Sequence, residues 1–426
     1  MRYRDLYIQC LFSCIAMLLF LSCGGNDGDS DSDVPSEQPK LNITIFTAGH
    51  PVVTRADVGD VSGTDDEVKI HKLQVWVFEH HEGDNAADGK KVAYLEDNTP
   101  MAQLHNNTEG DILEGTYQLV VSNSFAEAKP NVDVFVLANG EQKGFPMFDG
   151  NTTREVLQGA LIQRSVVENE TIDPYGVTTL TIAVPSGTDG KGLPMSGRLN
   201  NAELGGQSPV LNVKTPVTVV RTVSKVRFVF SRNKRPQEEE ETNKTEIRIT
   251  KIELDGEMIP KEEYIFLEKS YTPRAYRVGD NYVESVTELA TPGDMEIKEC
   301  DTPSKYAYVS QGGQEYEDMI DLGVNGDTQN GISPELTQLG KFYFRESDKQ
   351  MKGTITYEIS EGIPNTEGYK VTSKEARFVM NAAGDFTRNH TWIVYGYFAG
   401  SDNLQVISVK INPWTDRDDE HEVYNW

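Results

Sequence analysis

Seven histidines, four cysteines and 67 carboxylates are the groups in this 426-residue sequence that could do chemistry. His80, His81 and Glu82 stand together and are metal-ligand types. Adjacent residues on a strand point to opposite faces, however, and no further ligand follows closely, so a solvated loop tip is expected. Asp419-Glu420-His421-Glu422 meets the same objection. Asp27, Asp29, Asp31 and Asp33 alternate as in a calcium loop, but the closing Glu and flanking helices of an EF-hand are missing. Cys10 and Cys14 fall inside an apolar N-terminal run, so their spacing is not a redox or metal motif. Cys300 lies between Glu299 and Asp301, where nothing favours a thiolate, and reads as an inert thiol. The sequence holds no P-loop, no G-x-G-x-x-G after a strand, no H-E-x-x-H and no G-x-S-x-G. A glycosidase pair cannot be singled out among so many acids. The expectation is a chain that is not an enzyme and uses no cofactor or metal.

Charge narrows the partners. Forty Lys and Arg against 67 Asp and Glu give a net charge of −27. Such a surface repels phosphate backbones, so nucleic acid is not expected. It also disfavours docking on an anionic membrane through protein charge. Apolar residues at 37%, with 36 Gly besides, and charged residues at 25% suit a globular chain. Its length allows about two or three domains.

The first residues set the compartment. Arg2 and Arg4 precede an apolar run from Tyr7 to Leu21, broken by Gln9 and Ser13. The run is short of the roughly 20 apolar residues of a membrane span, and residues 1–22 read as a signal peptide. Phe20-Leu21-Ser22-Cys23 resembles a bacterial lipobox, with Phe20 where Leu is usual. Cleavage before Cys23 would leave a diacylglyceryl-modified N-terminus; the alternative is an ordinary signal peptide with an incidental Cys. Residues 23–40 are rich in Gly, Ser, Asp and Pro and read as a lipidated, solvated acidic tether. The acidic stretch after Cys23 resembles the export signal of surface lipoproteins in the Bacteroidetes, which implies the outer face of the outer membrane.

The remainder reads as strands. Leu41, Ile43 and Ile45 alternate with Asn42 and Thr44, the pattern of a half-buried strand. Further strands are predicted at 70–78, 117–121, 132–138, 178–184, 217–230, 245–254, 353–359, 375–380, 391–398 and 404–411, with 245–254 pairing against 217–230. Val156, Leu157, Ala160 and Leu161 have helical spacing and predict one short helix within 153–164. Arg232 to Thr242 is a solvated charged loop. Arg221, Lys225 and Arg227 alternate on one strand face, read as solvated. The Gly-, Asn- and Pro-rich stretch 187–209 marks a domain boundary, giving an N-terminal β-sandwich at 41–205 and a C-terminal β-sandwich at 206–426. Short strands, frequent turns and little helix indicate an all-β chain of β-sandwich domains.

Several segments, taken in order, resemble the fimbrillin family of Bacteroidales, the subunits of type V pili. They are the lipoprotein signal, LNITIF, Thr54-Arg55-Ala56, and Thr64-Asp65-Asp66-Glu67 leading into IHKLQVWVF. VDVFVLANG and the Pro-Met-Ser turn in Gly192 to Gly197 follow, then Arg221 to Val226, and Phe386 to His390 with Trp392 and the late Pro413-Trp414. The resemblance implies two tandem β-sandwich domains, of transthyretin-like or Greek-key type, and a structural, adhesive role at the cell surface. Its implied partners are other fimbrial subunits, in a homopolymer and with accessory subunits. They also include the outer membrane, through lipid on Cys23 before cleavage, and an Arg-specific protease.

The resemblance further implies assembly by strand exchange. Cutting after Arg55 would release the lipid and the strand holding Leu41, Ile43 and Ile45, each losing roughly 1.5–3 kcal/mol of burial. A neighbouring subunit's strand would fill the vacated groove by β-augmentation. Val423, Tyr424 and Trp426 are the candidate C-terminal donor residues. Asp416, Asp418, Asp419 and Glu420 before them could not enter a dry groove without partners. That departure leaves open an anchor or tip subunit that keeps its first strand, or a monomeric surface lipoprotein binding glycans. Exchange requires that residues 41–46 lie in a sheet, in a place their departure would not unravel.

Overall fold

The computed structural model describes residues 38–47, 70–81, 89–100, 104–106, 113–141, 145–163, 192–233, 245–255, 262–267, 287–289, 295–297, 299–300, 337–344, 347, 349–379, 388–389, 391–398 and 404–411. Cys23, Arg55, Val423, Tyr424 and Trp426, and the strand expected at 178–184, lie outside them.

The first sandwich is built from β1 (Lys40–Thr47), β2 (Leu73–Glu79), β3 (Lys91–Asp97), β4 (His105–Asn106), β5 (Leu113–Val120), β6 (Val132–Ala138), β7 (Leu161–Gln163), β8 (Met195–Ala202), β9 (Leu204–Gln207), β10 (Val210–Val213) and β11 (Val217–Arg221). Ten of these strands hydrogen-bond in the order β3-β2-β6-β8-β11-β1-β10-β9, with β5 on the free edge of β1 and β4 beyond it. β11 turns the corner: Val217 to Val219 pair with β1, and Val220 and Arg221 pair with β8. At β8, Gly197 lets β11 approach closely, since a Cβ there would meet the Thr218 carbonyl oxygen at 2.5 Å. The corner folds the sheet onto itself. Leu41, Ile43 and Ile45 therefore share one buried core with Leu73, Val75, Val77, Val134, Val136 and Met195.

β2 and β6 are buried on both faces, as their largely apolar sequences, interrupted within by Gln74 and Asp133, suggest. Their other face carries Trp76, Phe78, Phe135 and Leu137, packed beneath Leu157, Ile162, Ile265 and Phe266. The short helix expected within 153–164 is present in the covering segment, but it ends earlier than the spacing of Ala160 and Leu161 implied. A five-residue helix, Arg154–Gln158, is capped by Thr153 Oγ1 and stops at Gly159. Residues 161–163 then extend to pair with β14 (Glu262–Tyr264). Val156 is left half exposed while Leu157 is buried. A second short helix, Asn123–Ala128, is capped by Ser122. Met195 to Gly197, read as a turn, are strand residues paired with β6 and β11.

The second sandwich uses β12 (Ser224–Asn233), β13 (Thr245–Leu254), β15 (Thr287–Leu289), β16 (Met295–Glu296), β17 (Glu299–Cys300), β18 (Thr337–Phe344), β19 (Lys352–Glu361), β20 (Lys370–Val379), β21 (Thr391–Phe398) and β22 (Leu404–Ile411). One sheet runs β17-β12-β21-β22 with β18 also on β12; the other runs β15-β13-β19-β20 with β16 also on β13. β13 does not pair with residues 217–230. It lies in the opposite sheet, and Ile247, Ile249, Ile252 and Leu254 face Val226, Phe228 and Phe230 across the core. Alternating strands of this kind are satisfied by either arrangement, and the sandwich places apolar faces against each other rather than edge to edge. The segment expected as one strand over 217–230 is two, separated by Thr222-Val223. The boundary expected between 205 and 206 falls inside the first sheet, because β10 and β11 pair with β1.

Arg388 and Asn389 join the two sandwiches. Arg388 donates to the carbonyls of Tyr264 and Ile265. Asn389, in the left-handed region at φ 64°, donates its backbone N–H to Val223 O at 2.7 Å and accepts from Arg221 N.

Candidate functional site

The slot occupied by β1 is the feature most unlike an ordinary strand position. β1 forms because Leu41, Ile43 and Ile45 alternate with polar residues and are β-branched or aliphatic. All three are 0% exposed, as the alternation requires. On one edge β1 pairs antiparallel with β5, from Lys40 opposite Val120 to Phe46 opposite Glu114. On the other it pairs parallel with β10 at Lys40 to Asn42 and with β11 at Ile45 to Thr47. Its entrance is held by Lys40 N donating to Pro209 O at 2.7 Å and Val121 N donating to Pro39 O at 2.9 Å.

β1 is therefore interior. Among the described residues, β10 pairs only with β1 and β9, and β5 only with β1 and β4. Two pairs of strands thus reach the rest of the sheet through β1.

The outward face of β1 is also bonded, which the sequence did not indicate. Gln118 Nε2 donates to Asn42 Oδ1 at 3.2 Å, and Asn42 Nδ2 donates to Asn212 Oδ1 at 2.9 Å. Thr44 Oγ1 and Thr116 Oγ1 share a hydrogen bond of 3.1 Å. These partners lie 76, 170 and 72 residues from β1, so no local spacing could reveal them.

Two of the other groups considered for chemistry, His80 and Arg221, have structural roles. His80 is not a free loop residue: its Nδ1 lies 2.7 Å from Asp133 Oδ1. Asp133, fully buried, also meets Arg154 Nη2 at 2.6 Å and accepts from Asn201 N at 2.8 Å. Asp133 was missed because it sits inside the apolar run VDVFVLA; a charge in such a run was the available signal. Among the described residues, no group of three or more His, Cys, Asp or Glu could hold a metal. Arg221, read as solvated, is buried at the junction of the sandwiches.

A small titrating network lies on β2 and β3. Tyr94 OH donates to Glu96 Oε2 at 2.6 Å and accepts from Gln74 Nε2 at 3.0 Å. Burial, then the hydrogen bond to Glu96, pushes the Tyr94 hydroxyl up to about 12. The Tyr94 and Lys72 contacts hold Glu96 below its usual range. Lys72 is raised, first by its bond to Glu141.

No protein-family model matches the sequence, and no curated protein does. Solved structures are similar over almost the whole chain. A candidate cell adhesion protein from Parabacteroides distasonis has a TM-score of 0.50 at 13% identity, covering 88% of this chain and 97% of that one. A candidate cell adhesion protein from Bacteroides eggerthii gives 0.45 at 14%, over 92% and 98%. A fimbrilin from Porphyromonas gingivalis gives 0.41 at 12%, over 88% and 98%. None of the three is described as an enzyme. The all-β, sandwich-built fold of this chain is the fold of the Parabacteroides distasonis cell-adhesion candidate.

Proposed function

We propose that this chain is a structural subunit of a cell-surface fimbria that supports adhesion. It is exported as a lipoprotein through Cys23 and assembled by strand exchange after cleavage near Arg55. The observation that carries the reading is the slot itself. β1 precedes the rest of the first sandwich, and one cut after Arg55 severs it from β2 without touching another described strand. Its departure would leave a row of apolar pockets between two open strand edges, which is what an incoming strand needs. The similarity in fold to a cell-adhesion candidate agrees with this role. Arg55 lies in a polar, turn-rich stretch of sequence, where nicking concentrates.

One observation favours a second reading. The condition set by the sequence, that the departure of β1 not unravel the sheet, holds only if a replacement strand enters as β1 leaves: β5 and β10 reach the sheet through β1, and its loss alone would leave four strands detached. A fimbrial anchor or tip subunit that keeps its first strand avoids that cost. N-terminal sequencing of subunits from purified surface fibres separates the two. Ala56 as the first residue supports exchange. Cys23 as the first residue in polymerised subunits rejects cleavage and leaves the anchor or tip role. Loss of surface fibres in a deletion strain, seen by electron microscopy, supports the fimbrial role itself; unchanged fibres and adhesion would reject it.

A further inference from the structure

Apolar alternation alone does not define the occupant of the β1 slot. A strand slipped by two residues keeps its aliphatic side chains inward and its backbone bonds in phase. After such a slip, two of the three positions held by Leu41, Ile43 and Ile45 would still receive aliphatic chains. The outward face would change completely, because Lys40 or Thr44 would stand where Asn42 stands.

That position has a specific chemical demand. From the β5 side Gln118 presents an N–H donor, and from the β10 side Asn212 presents an oxygen acceptor. The residue between them must accept on one flank and donate on the other. A carboxamide does both in one plane, whereas Lys offers no acceptor and Thr has no second arm. Two positions along, Thr44 meets Thr116, a pairing of hydroxyls across the non-core face.

We propose that Asn42 and Thr44 are the recognition and register residues of this slot. Its proper occupant is a strand running parallel to β10 and β11, with three aliphatic side chains inward, an amide between the first two and a hydroxyl between the second and third. That this occupant is exchanged between subunits rests on the function proposed above; the register role of the ladder does not. The C-terminal Tyr424-Asn425-Trp426 carries the amide, but with rings in place of the aliphatic chains of Leu41 and Ile43. Those positions have no exposed surface, and larger side chains there would overpack the core. The fitting partner is therefore an Asn- and Thr-bearing aliphatic strand.

The test begins with the mature chain nicked under native conditions by an Arg-specific protease. The β1 fragment is then challenged with excess labelled synthetic peptide spanning Gln38–Thr47. The natural peptide is expected to displace the fragment, and a peptide carrying Asn42→Leu and Thr44→Val to do so about fivefold less well or worse. Equal displacement by both peptides overturns the proposal. If neither peptide enters, the exchange reading fails, and the ladder is judged on the uncut chain. There, Asn42→Leu should speed hydrogen exchange at Tyr117, Leu119 and Leu211 by about threefold or more. Gln118→Leu and Asn212→Leu should each add little on top of it, because all three share one network. Unchanged exchange, or fully additive effects, would overturn the register role as well.

Discussion

Arg388 Nη1 donates to the carbonyl oxygen of Ile265 across 3.0 Å, although 123 residues separate them. The same guanidinium donates from Nη2 to Tyr264 O at 2.7 Å and lies 3.6 Å from Glu263 Oε1. Ser196 Oγ reaches the Ile265 carbonyl from β8 at 2.6 Å. A single buried side chain thus ties the segment before β21 to the layer covering β2 and β6.

Removing that tie should be costly. Arg388→Ala leaves the Glu263 carboxylate buried without the guanidinium, and loss of one member of a buried pair costs about 3–5 kcal/mol. Urea denaturation should show the unfolding free energy fall by that amount, seen as a lower midpoint at unchanged slope. Arg388→Lys should recover only part, since one ammonium cannot span two carbonyls as a planar fork does.

The two faces of β1 should respond unequally. Ile43→Ala opens a cavity in a fully buried position and should cost about 2–5 kcal/mol. Thr44→Ala removes one outward hydroxyl pair and should cost less than about 1 kcal/mol. The same urea titration on the intact chain checks both. A comparable loss from the two changes would mean that β1 is not seated as described.

Stability should depend on pH at both ends through the β2–β3 network. Glu96 has a folded pKa below its unfolded value, so its contribution is present above the ordinary carboxylate range and is lost as pH falls through the folded pKa. The stability difference between the wild-type chain and Glu96→Gln should therefore shrink on acidification. Tyr94 runs the opposite way. Its hydroxyl is raised from 10.0 to about 12, so its contribution is complete below pH 10 and lost between about 10 and 12. Tyr94→Phe should flatten the alkaline fall in melting temperature over that window.

Asp133 should be the costliest carboxylate to remove from the first sandwich. It receives Arg154, His80 and the Asn201 N–H while fully buried. Asp133→Ala should destabilise by about 3–5 kcal/mol, by removing the buried carboxylate that Arg154 Nη2 meets at 2.6 Å. Asp133→Leu combined with Arg154→Leu should cost less than the two changes added, because each single change leaves a charge behind. Thermal denaturation of the four variants completes the cycle.

Much of the fold was legible along the chain. Alternation in LNITIF placed β1 to within a residue, and 391–398 and 404–411 emerged with their observed ends. Those signals are local, because a strand with one face in a core must alternate. β3 was missed, since KVAYLED mixes charges into a half-buried edge strand, and β18 was missed as well. In the helix expected within 153–164, a local period lost to the pairing of Leu161 to Gln163 with β14.

What sequence alone determined about this protein is its chemical character: an acidic chain of alternating strands, without a catalytic motif, whose first predicted strand, at 41–46, is amphipathic. Tertiary structure decided which edges meet. It put β1 between β5 and the pair β10 and β11, set β13 across the core from β12, and brought Asn42 between Gln118 and Asn212. The physical reason is that apolar alternation fixes which face a strand buries. Its neighbours are chosen by hydrogen bonds and packing between residues far apart in the chain, and no short window of sequence contains both partners.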